Sequence, residues 1–194
     1  EVKVLVELNK SADLAVGGES QLEVSDMSLL VNYVYLDTDE RRRFAQVSHE
    51  YLIEQVQHTG VESIVAGTAK TSTGKVDMNF NHPVKALFWT TTGGANYLDK
   101  VKIQLNGHDR FTERDGHYFR CVQTYQHHSG GHRQNPGQEE GGFYVYSFAL
   151  KPEEHQPSGT CNFSRIDNAV LNYTAVSEGK FRAYAINYNV LRIM

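Results

Sequence analysis

The feature that most constrains the fold is a repeated alternation of apolar and polar side chains in short segments of the chain. In residues 75–80 every second side chain is apolar, and residues 100–105 repeat this pattern. The Asn106-Gly107 pair that follows favours a tight hairpin turn. A period of two residues is typical of half-buried β-strands, whereas helices repeat every 3.6 residues. The alternation therefore predicts a β-protein.

About eight strands are expected between residues 51 and 194, joined by turns that contain glycine and asparagine. They are residues 51–57, 75–80, 84–90, 100–105, 110–111, 143–150, 169–176 and 180–193. The longest gap contains a possible helical turn at 118–125 and then a glycine-rich polar run, and loops of this length are often functional. No long amphipathic helix interrupts the pattern. The sequence predicts an all-β, eight-stranded jelly-roll β-sandwich.

The first 46 residues have a different organisation. Residues 1–8 alternate strictly, a Gly17-Gly18 turn follows, and residues 28–37 are rich in β-branched and aromatic side chains. These patterns predict two strands, which cannot bury a face alone, so they are expected to end a preceding domain. Both ends of the chain lie within strand patterns, which predicts a piece of a longer protein. Residues 38–46 predict a short linker helix, because Asp37 is an N-cap candidate with Glu40 three residues later.

Charge argues against several classes of partner. The chain has 19 Lys+Arg and 23 Asp+Glu, a net charge of −4, which does not indicate binding to nucleic acid or to a membrane surface. Linker residues Arg41, Arg42 and Arg43 adjoin acidic residues and are interpreted as a solvated or interface-pairing face. No apolar run approaches the roughly 20 residues of a transmembrane helix. With only Cys121 and Cys161, a disulfide framework is not expected.

The histidines allow a metal-site hypothesis. His127, His128 and His132, with Glu139 or Glu140, are residue types that bind zinc, iron or manganese. Their spacing is unfavourable, because adjacent side chains of a strand point to opposite faces and the chain contains no His-x-His pair. Exposed loop histidines are therefore the preferred interpretation, with no cofactor.

The stretch 147–167 contains several chemically versatile side chains. Glu153 and Glu154 are paired carboxylates and Ser158 is a possible nucleophile, but adjacent carboxylates diverge and no nucleophile-elbow motif surrounds the serine. A rigid structural corner is the preferred interpretation, in which proline ends the strand and a turn follows. Arg165 and Asp167 are expected to pair with backbone carbonyls or each other. The predicted corner residues are Pro152, Pro157, Ser158, Gly159, Asn162, Arg165 and Asp167.

Four long segments resemble one family. SFALKPEEHQPSGTCNFSRIDNA at 147–169 is similar to the signature of the major capsid proteins of nucleocytoplasmic large DNA viruses. LDTDERRRFAQVSHEYLIEQVQ at 36–57, NHPVKALFWTT at 81–91 and RDGHYFRCVQTYQHHSG at 114–130 resemble the same family and follow its order. These strings cover most of the chain from residue 28 onward.

The resemblance implies two consecutive jelly rolls in the complete protein. Residues 1–37 would be the last strands of the first roll, 38–46 the linker with its short helix, and 47–194 the second roll. It further implies a homotrimer of pseudo-hexagonal outline that joins neighbouring capsomers and minor capsid proteins in an icosahedral shell over an internal membrane. The protein would be a virion component, assembled in the host cytoplasm, without catalytic residues.

Two other functions remain as alternatives on the residues alone. A carbohydrate-binding, lectin-like jelly roll would bind glycans in a saturable way as a monomer or small oligomer. A metal-dependent enzyme of the cupin type would lose its metal on substitution of His127, His128 or His132 by alanine.

Overall fold

The computed structural model describes residues 3–8, 10, 26–64, 72–92, 98–130, 142–175 and 178–193. The predicted turns at Gly17-Gly18 and Gly93-Gly94 lie outside these residues, as do His132, Glu139 and Glu140. The chain divides into two compact units, residues 1–46 and 47–194. Among the described residues, no helix is long and apolar enough to cross a membrane.

The first unit contains helix α1, Thr38–Gln46. The backbone N–H of Glu40 donates to Asp37 Oδ1 at 2.8 Å, which confirms the predicted N-cap. The two strands predicted before this helix are wrong for the described residues, because 3–8 and 26–37 have no regular secondary structure. A strand forms only by pairing with a neighbour, and side-chain alternation does not supply that neighbour.

The second unit is a sandwich of two antiparallel sheets. The first has the strand order β1-β11-β4-β8, and the second has the order β3-β10-β5-β6. In the first sheet, β1 is His49–His58, β11 is Gly179–Ile193, β4 is Pro83–Thr92 and β8 is Gly142–Ser147, with β2 (Glu62–Ile64) beside β11 and β9 (Cys161–Asn162) beside β4. In the second, β3 is Ser72–Asp77, β10 is Ala169–Ala175, β5 is Leu98–Leu105 and β6 is His108–Asp109, with β7 (Arg114–Asp115) beside β5.

The strand order is that of a jelly roll, because the first strand of the unit pairs with the last along its whole length. The predicted count of eight strands is not confirmed, since the described residues form eleven. Four strands lie on the main path of each sheet, and three short ones lie beside them. The short strands are too brief to give an alternating pattern, so the sequence did not indicate them.

Aromatic side chains fill the space between the sheets. Trp89, Phe119, Tyr144 and Phe181 are fully buried. The ring of Trp89 stacks on Tyr144 with centroids 5.9 Å apart, and it lies 5.2 Å from the ring of Phe119. Large rings at these separations contribute both buried area and favourable ring geometry. The prediction that most aromatic side chains belong to the core is confirmed for these residues.

A helical segment replaces a long strand after β7. A π-helical turn, Tyr118–Val122, runs directly into helix α2, Gln123–His127, as the predicted helical turn at 118–125 anticipated. Gln123 Oε1 accepts the backbone N–H of Ser147 at 3.1 Å. This bond occupies an outward donor of edge strand β8, and covered edges resist pairing with other chains.

Gly116 lies where the backbone of this helical segment passes closest to strand β5. A Cβ atom on Gly116 would overlap the carbonyl oxygen of Leu98, which is a backbone atom and cannot rotate away. A Cβ on Gly130, in contrast, would meet no atom within 4 Å. The close approach of two backbones therefore requires glycine at position 116.

We expect Gly116→Ala to lower the free energy of unfolding by about 1–3 kcal/mol, because the added methyl group forces the helical segment away from β5. This direction is opposite to the helix propensity of alanine, which alone would stabilise by about 1 kcal/mol. Urea denaturation checks it, with Gly130→Ala as the control that stays within about 0.5 kcal/mol of wild type. Equal effects of the two substitutions would contradict the proposed overlap.

Candidate functional site

The segment between β8 and β10 carries the chain from one sheet to the other. Strand β8 ends at Ser147, before the predicted end at residue 150 and before Pro152, which is buried. Beyond the strand, the N–H groups of Phe148 and Ala149 both donate to the carbonyl oxygen of Lys85, at 2.9 and 3.2 Å. The strand thus ends because its next donors converge on a single acceptor, and not because proline removes a donor.

Ser158 closes a loop in this segment. Its Oγ accepts the N–H of Lys151 at 2.9 Å and donates to the carbonyl oxygen of the same residue at 3.1 Å. Gly159 follows with φ of 142°, a conformation that residues with a side chain rarely adopt. The exposed Pro157 precedes them. Because the Ser158 hydroxyl is held by backbone groups, the arrangement supports a turn and offers no activated nucleophile at this serine.

Asn162 organises the return into the second sheet. Its Oδ1 accepts the N–H of Ser164 at 3.1 Å and caps a 3₁₀ turn, Phe163–Arg165. Ser164 Oγ in turn accepts the N–H of His82 at 2.8 Å, which joins the turn to the start of β4. The expected pairing of Arg165 and Asp167 is wrong. Both are exposed, and the described residues show no hydrogen bond or ion pair from either side chain, because water solvates charges at such positions more cheaply than ordering would.

The backbone near Asp167 is fixed by another asparagine. Asn106 Oδ1 accepts the N–H groups of Asp167 and Asn168 at 2.9 and 3.2 Å. Asn106 itself has φ of 50° and Gly107 has φ of 78°, as the predicted tight hairpin requires. The hairpin after β5 therefore holds the entry to β10, a link that the sequence analysis missed because the two segments are far apart along the chain.

Glu153 connects the same segment to the end of α2. Its Oε1 lies 3.1 Å from His128 Nδ1, and its Oε2 accepts the N–H of Ser129 at 3.0 Å and the Ser129 hydroxyl. The Ser129 hydrogen bonds, with a smaller contribution from His128, lower the pKa of the Glu153 carboxyl below its usual range. Glu154 instead pairs with Lys151 at 2.9 Å, so the two adjacent carboxylates diverge as expected.

The histidines do not converge on one point. His127 Nδ1 lies 3.0 Å from the carbonyl oxygen of Leu150, whereas His128 faces Glu153. His128 Nε2 is buried without a partner, and its ring packs edge-on against Phe88. The Ser129 hydroxyl donates to Glu153 and not to an imidazole, so these groups lack the relay of a catalytic triad. In the part of the chain that the structure describes, no three metal-ligating side chains form a cluster.

Lys85 was not singled out by the sequence analysis. Residues 186 and 187 of β11 pair with residues 86 and 84 of β4, so Lys85 is the extra residue of a β-bulge. Its side chain is only 5% exposed, and its Nζ lies 2.5 Å from Glu54 Oε1 on β1 and 5.4 Å from the centre of the Tyr188 ring. A lysine within the apolar run of 84–89 was the available signal. Its carbonyl is the acceptor for Phe148 and Ala149, so Lys85 links β1, β4 and the corner.

The linker arginines are solvated where their contacts are described. Arg41, Arg42 and Arg43 lie on α1, which buries none of its residues. Arg42 Nη1 lies 3.4 Å from Asp39 Oδ1, and both side chains are mostly exposed. Exposed pairs of this kind contribute little to stability.

Comparisons with known proteins agree with this arrangement. A sequence model described as large eukaryotic DNA virus major capsid protein matches residues 40–97 and 90–194. The major capsid protein of Pyramimonas orientalis virus is 49% identical over 218 residues, which cover 100% of this chain and 52% of that protein. The major capsid protein of Paramecium bursaria Chlorella virus 1 is 38% identical, covering 96% of this chain and 55% of that protein. The chain thus spans about half the length of these relatives.

Solved structures give the same result. A crystal structure of PBCV-1 VP54, fitted into a reconstruction of the virophage Sputnik, superposes with a TM-score of 0.72 at 37% identity and covers 84% of this chain and 53% of that one. The Faustovirus major capsid protein superposes with a TM-score of 0.65 at 13% identity and covers 82% of this chain and 36% of that one, which supports the fold alone.

The strand order and the corner define the second unit as a jelly-roll β-sandwich of the viral capsid class. The chain belongs to the family of large eukaryotic DNA virus major capsid proteins, and it corresponds to a C-terminal portion of them.

We expect Glu54→Gln to lower the free energy of unfolding by about 2 kcal/mol, because it leaves the buried Lys85 ammonium without its carboxylate. Glu50→Gln is the matched control, since Glu50 lies on the same strand and pairs with Arg192 at 3.5 Å where both side chains are exposed. Its loss should stay below about 0.5 kcal/mol. Lys85→Met should cost less than Glu54→Gln, because it leaves no buried charge. Urea denaturation of the three variants gives these values, and equal losses for the two glutamates would contradict the role of Lys85.

We expect acid to weaken the link between Glu153 and α2. Because the pKa of folded Glu153 lies below its ordinary value of 4.5, its stabilising contribution is complete above that pH and is lost as the pH falls through the folded-state pKa. Glu153→Gln should therefore melt below wild type at neutral pH, and this difference should shrink below pH 4.5. Thermal melting across this range checks the prediction. The adjacent control, Glu154→Gln, should keep the wild-type loss of stability in acid.

Proposed function

We propose that the chain is the second jelly roll of a major capsid protein that trimerises into pseudo-hexagonal capsomers and builds an icosahedral shell. The observation that carries this proposal is the superposition on PBCV-1 VP54 with a TM-score of 0.72 at 37% identity. Residues 47–194 form the second roll, 38–46 the linker, and 1–37 belong to the first roll. The segment 1–37 gains strand partners when the rest of that roll is present.

In this proposal the mechanism is geometric. A capsomer needs rigid blocks whose outer loops and sheet edges meet neighbours in a fixed arrangement, and symmetric contacts then set the assembly. The core supplies rigidity through the buried rings of Trp89, Phe119 and Tyr144. The predicted corner residues fix the passage between the sheets through the Ser158 and Asn162 hydrogen bonds. Arg41, Arg42 and Arg43 are available on α1 for pairing with acidic groups of a neighbour.

The protein acts without catalysis, cofactor or nucleic acid in this proposal. Its partners are two further copies, neighbouring capsomers and minor capsid proteins in the virion, with the internal membrane beneath, and assembly takes place in the host cytoplasm. The use of Ser158 and Glu153 in structural hydrogen bonds supports this assignment. The net charge of −4 supports the absence of nucleic-acid binding.

The native mass of the full-length protein tests the proposal. We expect light scattering to give three times the mass of the chain, and negative-stain images of the same fraction to show particles of hexagonal outline. A monomer that binds glycans in an array would contradict the capsomer and favour the lectin-like alternative. A monomer without glycan binding would contradict both.

A further inference from the structure

Arg120 is a buried cation without a hydrogen-bond partner at its Nε. The residue is 4% exposed, and its Nε is buried and unpaired. Among the described residues, no carboxylate oxygen lies within the 4.0 Å of an ion pair. A guanidinium stays protonated at any accessible pH, and a buried charge without a partner is strongly unfavourable. Another group must therefore satisfy Arg120.

Tyr144 satisfies Arg120 only in part. The guanidinium carbon lies 5.9 Å from the centre of the Tyr144 ring, within the range of a cation–π contact. That contact offers no acceptor to the N–H groups. The Tyr144 hydroxyl is already engaged, since it accepts the N–H of Leu98 at 2.6 Å. Burial raises the pKa of Tyr144 to about 12, while the positive charge of Arg120 opposes the shift and the negative charge of Asp115 adds to it. Both charges therefore act on the same phenol.

A small cavity adjoins the guanidinium. Its volume is about 60 Å³, and it is lined by Leu98, Asp99, Asp115, Gly116, His117 and Arg120. A polar cavity needs only about 10–15 Å³ by this measure to hold one water molecule, so there is space for more than one. Asp115 Oδ1 accepts the N–H of His117 at 2.8 Å, which leaves Oδ2 available to a molecule in the cavity.

We propose that this cavity is a binding site for ordered water that accepts hydrogen bonds from Arg120 and donates one to Asp115. The bridging molecule must accept on one side and donate on the other, and water does both. A small inorganic anion accepts only, and it would lie against the carboxylates of Asp99 and Asp115. The bridge converts two separated charges into a water-mediated ion pair that joins the helical segment to strand β7.

A crystal structure of the full chain, grown with bromide at a resolution that shows ordered water, tests the occupant. We expect density about 2.7–3.2 Å from an Arg120 nitrogen and from an Asp115 oxygen, without a bromide anomalous peak. A bromide peak beside Arg120 would overturn the proposal in favour of an anion site. An empty cavity, or a direct contact between Arg120 and Asp115, would overturn it as well.

A double-mutant cycle tests the coupling in solution. We expect Asp115→Asn to lower the Tm by about 2–4 °C, and to have less than half that effect in an Arg120→Met background. The amide introduced by Asp115→Asn keeps an Oδ1 acceptor for the N–H of His117, so the loss reports the charge. The control background is Arg182→Met, because Arg182 is an exposed arginine of β11, and there the effect of Asp115→Asn should be unchanged. The same loss in all backgrounds would overturn the bridge.

Discussion

The bulge at Lys85 is the constraint on which the first sheet and the corner both depend. One extra residue in β4 shifts its register against β11 and turns the carbonyl of Lys85 toward the end of β8. That carbonyl accepts two consecutive N–H groups, which stops the ladder and starts the corner. The side chain meanwhile reaches Glu54 on the far side of β11. A single inserted residue thus sets where β8 ends and how β1 lies relative to β4.

The bulge also explains why a cation is tolerated at this depth. A buried ammonium is costly unless it is paired, and Glu54 is 41% exposed, so it keeps part of its hydration while it pairs with Lys85. The Tyr188 ring lies directly opposite Glu54 in the strand pairing and covers the lysine from the β11 side. An apolar residue of similar size would fill the same space but would not specify which residue of β1 lies across from it. We infer that the pair specifies register as well as contributing stability.

Side-chain alternation was sufficient to predict the long strands, and non-local pairing explains what it did not predict. The pattern of Val101 and Ile103 indicated β5 because one face is buried, and Asn106-Gly107 indicated its hairpin from local backbone preference alone. In β11, by contrast, Tyr184 and Ile186 share an apolar face, yet the core takes the alternate residues Phe181, Ala183 and Ala185. Small side chains fit there because bulky rings of the other strands occupy the space, and a single strand does not reveal its neighbours.

The corner shows the same limit for polar side chains. Its turn residues were predictable, since Ser158 and Gly159 act on backbone within a few positions. Arg165 and Asp167 were the wrong choice, because opposite charges near each other in sequence need not be ordered at an exposed site. The groups that hold the corner to the rest of the roll are Lys85 and Asn106, far away in sequence, and both act on backbone N–H groups. Backbone donors must be satisfied wherever the chain leaves a sheet, so the fold recruits whichever acceptor the other strands bring close. A corner held in this way has its geometry fixed by the sheets themselves, and this supports a rigid block that meets its neighbours through a constant outer surface.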